Sequence, residues 1–166
     1  MKKFRKISLS LFFVFLLFAC TQSEGIDMQK PEIDLTIQEA SPLNCNVFYF
    51  GETITLHSLL KDNVELGTYS VEIHHNFDHH SHSTDVMNCD LLPKRKAENP
   101  FVFIKGYGIP VGQTSHQTAT EIELPTGNEL GLFDEGDYHF FISLTDKQGW
   151  STQKGISIKI IHKPID

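Results

Sequence analysis

The chain has 166 residues, of which 40% are hydrophobic and 21% charged, with 14 Lys and Arg against 21 Asp and Glu. This length fits one domain with a sizeable hydrophobic core. The formal charge of −7 at pH 7 disfavours nucleic acid and anionic lipid surfaces as partners.

Residues 1–19 have the pattern of a signal peptide. Four basic residues within the first six precede an apolar run over residues 9–19, which is too short to span a membrane as a helix. The run ends in "LFAC" at residues 17–20, which resembles the lipobox of bacterial lipoproteins. The resemblance implies cleavage before Cys20 and acylation of its thiol and new amine, which would anchor the protein to a membrane. The alternative is an ordinary cleaved signal that happens to precede a cysteine.

Residues 20–31 are polar and contain a proline, and we predict that they form a flexible tether behind the lipidated cysteine. Loss of residues 1–19 removes four basic residues and no acidic ones. The mature chain therefore keeps ten basic residues against 21 acidic ones, a formal charge of −11.

Alternation of apolar and polar residues dominates the rest of the chain and predicts β-strands. In chain order, the predicted strands span residues 32–38, 52–58, 67–77, 101–104, 119–125, 136–146 and 155–161. Turn residues separate several of them, and the glycine-rich residues 106–116 are interpreted as a connection. About seven short strands predict an all-β fold, an antiparallel β-sandwich over residues 32–163.

The segment "EGDYHFFISLTDKQGWST" at residues 135–152 resembles the last two strands of immunoglobulin-like modules of bacterial surface proteins. Those modules show a Gly-Asp-Tyr entry, an alternating strand and an Asp-x-x-Gly turn, which here are Gly136, Asp137, Tyr138, Asp146 and Gly149. The resemblance implies an immunoglobulin-like sandwich with Tyr138 as a corner tyrosine.

Five of the nine histidines lie in "HHNFDHHSH" at residues 74–82. Imidazole is the commonest metal ligand in proteins, and both zinc and copper accept it. His80 and His82 lie on the same side of an extended chain, so their spacing allows both to reach one ion. His74 and His75 point to opposite faces of a strand, so at most one of them joins easily.

Two further residues belong to this hypothesis. Asp78 either binds the metal or accepts the second N–H of a ligating histidine. If residues 67–77 and 136–146 are the neighbouring strands C and F of the sandwich, His75 and His139 approach each other. The predicted metal ligands are His74, His75, Asp78, His79, His80, His82 and His139. The alternative is a metal-free surface that is merely polar or responds to pH.

Cys45 and Cys89 remain in the mature chain. An exported protein meets an oxidising compartment, so the two cysteines form a disulfide in one interpretation. In the other, Cys89 is a metal ligand seven residues after His82.

Together, the histidine segment, "GDYHF" at residues 136–140 and the lipobox resemble an uncharacterised lipoprotein domain family of Bacteroidota. The resemblance implies an immunoglobulin-like sandwich with a lipid anchor in the outer membrane, on its periplasmic side or at the cell surface, with an uptake receptor as a partner. It implies no activity. The matching positions are His74, His75, Phe77, Asp78, His79, His80, His82, Tyr138 and His139.

The chain carries no G-x-S-x-G, H-E-x-x-H or glycine-rich phosphate-loop motif, and we do not predict an enzyme. We expect the histidine cluster to capture or deliver zinc or copper at the outer membrane. The competing expectation is a metal-free accessory module, which would be an uptake-complex partner, a glycan binder or an adhesin.

Overall fold

The computed structural model describes residues 26–80 and 89–164, and the regular structure in this part of the chain is entirely β-strand. The leader, Cys20, the first half of the predicted tether and His82 lie outside the described residues. Within the described ranges, no helix is long and apolar enough to cross a bilayer. The strands are β1 (Glu32–Asp34), β2 (Val47–Tyr49), β3 (Thr53–Leu56), β4 (Leu59–Lys61), β5 (Leu66–His75), β6 (Phe103–Gly108), β7 (Ser115–Gln117), β8 (Thr120–Glu123), β9 (Gly127–Asn128), β10 (Gly131–Leu132), β11 (Gly136–Asp146) and β12 (Ser151–Ile161).

The strands form a sandwich. One layer is a five-stranded sheet in the order β2-β12-β11-β5-β6, antiparallel except where β2 runs parallel to β12. The other layer contains β1-β4-β7 and β3-β8. β3 pairs with β8, and β4 pairs with β7, in one continuous register. β3 and β4 are therefore two parts of one strand that is interrupted at residues 57–58. β7 and β8 are likewise two parts of one strand that is interrupted at residues 118–119. Merging these pieces and setting aside the two-residue β9–β10 hairpin gives eight principal strands among the described residues, and this architecture confirms the predicted all-β sandwich.

The core lies between the layers and follows the alternation of the sequence. Alternate residues of a strand point to one face of its sheet. Val71 and Ile73 of β5 are therefore buried together, and Ile54 and Ile122 face them from the other layer. The inward residues of β11 are Tyr138, Phe140, Ile142 and Leu144, all fully buried.

The outer face of β11 is also buried near the start of the strand. Asp137, His139 and Phe141 are 3–5% exposed, although they point away from the core. The chain after β5 covers them there, since the Leu92 amide donates to Asp137 Oδ2 at 2.7 Å. Gly136 allows the close approach of this chain. Its φ is +148°, and a Cβ at this position would lie 2.6 Å from the Phe77 ring.

Besides β4 and β7, which adjoin the predicted strands at residues 52–58 and 119–125, three regular elements lie wholly or largely outside the predicted strands. β2 and the β9–β10 hairpin lie in segments without alternation. β6 extends to Gly108, into residues 106–116, which the sequence analysis interpreted as a connection. Each lies at the edge of a sheet or forms a two-residue pair. Such short strands place few side chains against the core, among them Phe48 of β2 and Phe103 and Tyr107 of β6, and therefore give a weak alternation signal.

A disulfide joins Cys45, before β2, to Cys89. Cys45 also donates its backbone N–H to the Ser157 carbonyl of β12 at 2.8 Å. Cys89 therefore is fixed beside the edge of the five-stranded sheet. On the chain-entropy model, closing a loop of 44 residues stabilises the fold by about 4 kcal/mol.

Tyr138 occupies the corner position of the sandwich. Its hydroxyl donates to the Asp134 carbonyl at 2.6 Å, four residues upstream, and accepts from the Phe101 amide at 3.2 Å. Burial raises the pKa of Tyr138 well above its usual range. This one hydroxyl ties two loops to the start of β11.

The corner hydroxyl gives a matched test of this structure. Tyr138→Phe leaves the buried Phe101 amide and Asp134 carbonyl without this partner and should lower the free energy of unfolding by about 1–3 kcal/mol. Tyr107→Phe is the control, because the Tyr107 hydroxyl is buried without a hydrogen-bond partner among the described residues. Its removal should leave stability unchanged or raise it. Denaturant unfolding of both variants measures the difference, and equal losses would contradict the corner assignment.

Candidate metal centre

Three histidines from separate segments meet on the outer face of the five-stranded sheet. His74 lies near the end of β5, His139 lies in β11, and His80 follows the turn after β5. The antiparallel register places His74 directly opposite His139. One ring nitrogen from each of the three residues lies within 4.8 Å of the others, so the group is geometrically able to hold a metal ion.

The ring positions show how closely the three side chains converge. The His74 and His80 rings stack with centroids 5.7 Å apart. The His139 ring meets both edge-on, with centroids 5.5 Å from His74 and 5.2 Å from His80. Nitrogens bound to tetrahedral zinc at about 2.0–2.1 Å stand roughly 3.4 Å apart, so nitrogens within 4.8 Å of one another can reach one ion through small side-chain movements.

The expectation that His75 approaches His139 is wrong, because the register places His75 opposite Tyr138. Residues directly opposite in an antiparallel pair share a face of the sheet. His75 follows the inward phase of Val71 and Ile73, and its ring packs on Phe77 with centroids 4.9 Å apart. Nδ1 of His75 is buried, with no hydrogen-bond partner among the described residues.

A tight turn brings His80 over the sheet. The His79 amide donates to the Asn76 carbonyl at 3.1 Å, and the Asn76 amide donates to the Asp137 carbonyl of β11 at 2.7 Å. His79 has a φ of +57°, in the left-handed region that few residues other than glycine adopt. This conformation reverses the chain and returns His80 to His74 and His139.

Carboxylates orient two of the three rings. Nδ1–H of His74 donates to Glu72 Oε1 at 2.9 Å, and Nδ1–H of His80 donates to Asp78 Oδ1. The hydrogen bond from His80 holds the pKa of Asp78 below its usual range. With Nδ1 protonated, each neutral ring carries its lone pair on Nε2, which is the arrangement common around metal-binding histidines.

His139 is oriented by the backbone. Its Nε2–H donates to the His80 carbonyl at 3.2 Å, so the lone pair of the neutral ring is on Nδ1.

Two carboxylates near the rings compare differently with the sequence analysis. Asp78 accepts the Nδ1–H of His80, and orienting a histidine in this way is one of the two roles that the sequence allowed for it. Glu72 was missed by the sequence analysis. Its position two residues before His74, on the same face of β5, was the available signal.

The other candidate ligands are not part of this group, although the His75 ring lies edge-on to the His80 ring with centroids 6.3 Å apart. Nε2–H of His79 donates to the Leu92 carbonyl at 2.9 Å and lies 3.9 Å from Asp137 Oδ2. The sulfur of Cys89 is in the disulfide, so it offers no thiolate for a metal.

The cluster has a buried floor and an accessible rim. His139 is 3% exposed and its ring lies over Phe141, with centroids 5.6 Å apart. The side chains of His74 and His80 are 22% and 30% exposed. A cavity of about 250 Å³ adjoins the cluster and is lined by Glu72, His74, Phe141 and Gln153. Solvent and small ions can therefore reach the rings from one side.

Fold and site together define an immunoglobulin-like β-sandwich with a three-histidine cluster on the outside of one sheet. A family model described as "Domain of unknown function (DUF4625)" matches residues 18–161, and the chain belongs to this family. Comparison with curated proteins gives no significant match.

The hydrogen bonds predict the protonation of each ring in the metal-free protein. At mildly alkaline pH, the ¹⁵N chemical shifts of His74 and His80 should be those of the Nδ1–H tautomer, and those of His139 should be of the Nε2–H tautomer. Long-range ¹H–¹⁵N NMR spectra measure this directly. Averaged shifts for all three rings would contradict the arrangement described here.

Proposed function

We propose that the protein is a lipid-anchored outer-membrane lipoprotein of Bacteroidota that captures zinc or copper through His74, His80 and His139. The observation that carries the proposal is the convergence of three imidazoles from separate segments, with one ring nitrogen from each within 4.8 Å of the others. Two of these rings are oriented by carboxylates through Nδ1, as ligating histidines usually are.

The donor set favours zinc and copper over harder ions. Imidazole nitrogen suits zinc and copper, whereas calcium and magnesium prefer oxygen. Glu72 and Asp78 add negative charge beside the rings and would offset part of the charge of a bound ion. Three protein ligands leave one tetrahedral position for water or a donor from another molecule. Such a site supports capture and delivery better than permanent storage.

The proposed location rests on the lipobox and on the family resemblance. Acylation of Cys20 would place the sandwich at a membrane surface by way of the segment before β1. The formal charge of −11 on the mature chain weakly raises the local concentration of cations. An outer-membrane uptake receptor is the proposed recipient of the ion.

A metal-free interaction module is the second candidate, and the exposed edge of the five-stranded sheet favours it. Among the described residues, β6 has a hydrogen-bonded neighbour on one side alone. Ile104 in this strand is 71% exposed, and Val102 just before it is 56% exposed. An open edge strand with exposed apolar side chains can pair with another chain.

Metal titration separates the two candidates. The full chain, expressed with its leader and a histidine-free tag, is purified in mild detergent and titrated with zinc and copper by calorimetry. We expect about one ion per chain with submicromolar affinity. The double variant His74→Ala with His80→Ala should lose at least about 100-fold in affinity, because outer-shell changes alone cost 10–100-fold.

The matched control is His79→Asn. It removes the histidine next to His80, and asparagine tolerates the left-handed conformation that this turn requires. The control should bind zinc as the unchanged protein does. Millimolar binding by the unchanged protein would exclude the metal function and favour the interaction module. Full affinity in the double variant would exclude His74, His80 and His139 as the metal site.

A further inference from the structure

Three aspartates meet at the other end of the sandwich from the histidines. Asp27 precedes β1, Asp62 follows β4, and Asp146 is the last residue of β11. One carboxylate oxygen from each lies within 4.8 Å of the other two. Asp27 and Asp146 are 6% and 4% exposed, so most of this negative charge is removed from water.

Each carboxylate has one satisfied oxygen and one that is not. Oδ1 of each accepts two N–H donors, and Oδ2 of each is buried with no hydrogen-bond partner in residues 26–80 and 89–164. The donors are the Gln29 amide and Asn63 Nδ2 for Asp27, the Val64 and Glu65 amides for Asp62, and the Gly149 and Trp150 amides for Asp146.

The donors to Asp27 favour its charged form. The Gln29 amide and the Asn63 side chain hold the pKa of Asp27 below its usual range. Across the described part of the chain, none of the three aspartates forms an ion pair with a Lys, Arg or His side chain. Lys147, which follows Asp146, lies 3.8 Å from Glu65 instead. Buried carboxylates are unfavourable unless a cation neutralises them.

We propose that Asp27, Asp62 and Asp146 form a Ca²⁺ site. All three donors are carboxylate oxygens, which hard cations prefer. Ca²⁺ binds oxygen at 2.3–2.6 Å, so its ligand oxygens stand up to about 4.6–5.2 Å apart, and three oxygens within 4.8 Å of one another can share one ion. Mg²⁺ usually keeps several waters and binds through one or two carboxylates, so a group of three carboxylates favours Ca²⁺. Water would complete the coordination of Ca²⁺.

The site would fasten the segment before β1 to the sandwich. Ile26 and Met28 are 86% and 71% exposed, whereas Asp27 between them is buried. The Trp150 indole N–H donates to the Asp27 carbonyl at 2.9 Å and holds the backbone at this point. Asp27 lies seven residues after Cys20, within the segment that the sequence indicated was a flexible tether. Bound Ca²⁺ would link that segment to the ends of β4 and β11.

The two metal sites are far apart and chemically different. His139 and Asp146 lie in the same strand, seven residues apart, which corresponds to about 23 Å. The calcium site therefore does not depend on the proposed transition-metal function, and each can fail without the other.

Thermal unfolding of the full chain in mild detergent, in chelator and in millimolar CaCl₂, tests the proposal. Ca²⁺ at about 100 times Kd should raise the Tm of the unchanged protein by about 5–10 °C. Asp62→Asn and Asp146→Asn keep the Oδ1 acceptor and remove the charge. Each should lose the response to Ca²⁺, and in chelator each should unfold at the same or a higher temperature than the unchanged protein.

Asp34→Asn is the matched control. Asp34 is held by Lys61 at 2.8 Å, so this variant should be less stable both with and without calcium but should keep the full shift. The double variant His74→Ala with His80→Ala should also keep it. If Asp146→Asn does not fold, the half-buried Asp62→Asn decides. The proposal would be overturned if Ca²⁺ did not raise the Tm of the protein without substitutions. It would also be overturned if Ca²⁺ raised the Tm of Asp62→Asn by the full amount.

Discussion

The register between β5 and β11 is the constraint on which both the core and the histidine cluster depend. It places Tyr138 opposite His75 and His139 opposite His74. The first pair lies on the inner face, where Tyr138 ties two loops to the strand. The second lies on the outer face, where His80 completes the group. A slip of one residue would exchange the two faces and remove both features.

Alternation predicted the sandwich because most of its strands bury one face. The long strands β5 and β11 were located closely, since each places many apolar residues in one phase, whereas β12 begins four residues before the predicted start at residue 155. β2 and the β9–β10 hairpin gave no such signal, because β2 packs a single residue, Phe48, against the core and each hairpin strand has two residues. Short edge strands are thus the part of this fold that the sequence reveals least.

The candidate metal centre was predictable in part. The density of histidines directed attention to residues 74–82, and the neighbouring strands added His139. Both His74 and His75 were predicted as ligands, and the expectation that His75 rather than His74 would approach His139 was an error of parity. His75 shares its phase with Val71 and Ile73, whereas His139 alternates with the buried Tyr138 and Phe140. The left-handed conformation of His79 directs His79 and His80 to different partners. A glycine would have signalled such a turn in the sequence, but a histidine does not.

The aspartate cluster was not predictable from spacing, because its members come from three distant segments. Each is at the end of a strand or before one, where a carboxylate commonly accepts backbone N–H groups. Only the fold shows that the second oxygens of all three are buried together. Nitrogen donors at one end of β11 and oxygen donors at the other would allow a transition metal and calcium to bind without competing.

The most direct test of the central claim is anomalous diffraction at the zinc absorption edge from crystals of the protein loaded with one equivalent of zinc. We expect a single strong peak about 2.0–2.1 Å from one ring nitrogen each of His74, His80 and His139. A peak that is absent from this position, or that lies beside other histidines, would contradict a metal centre on the outer face of the β5–β11 pair.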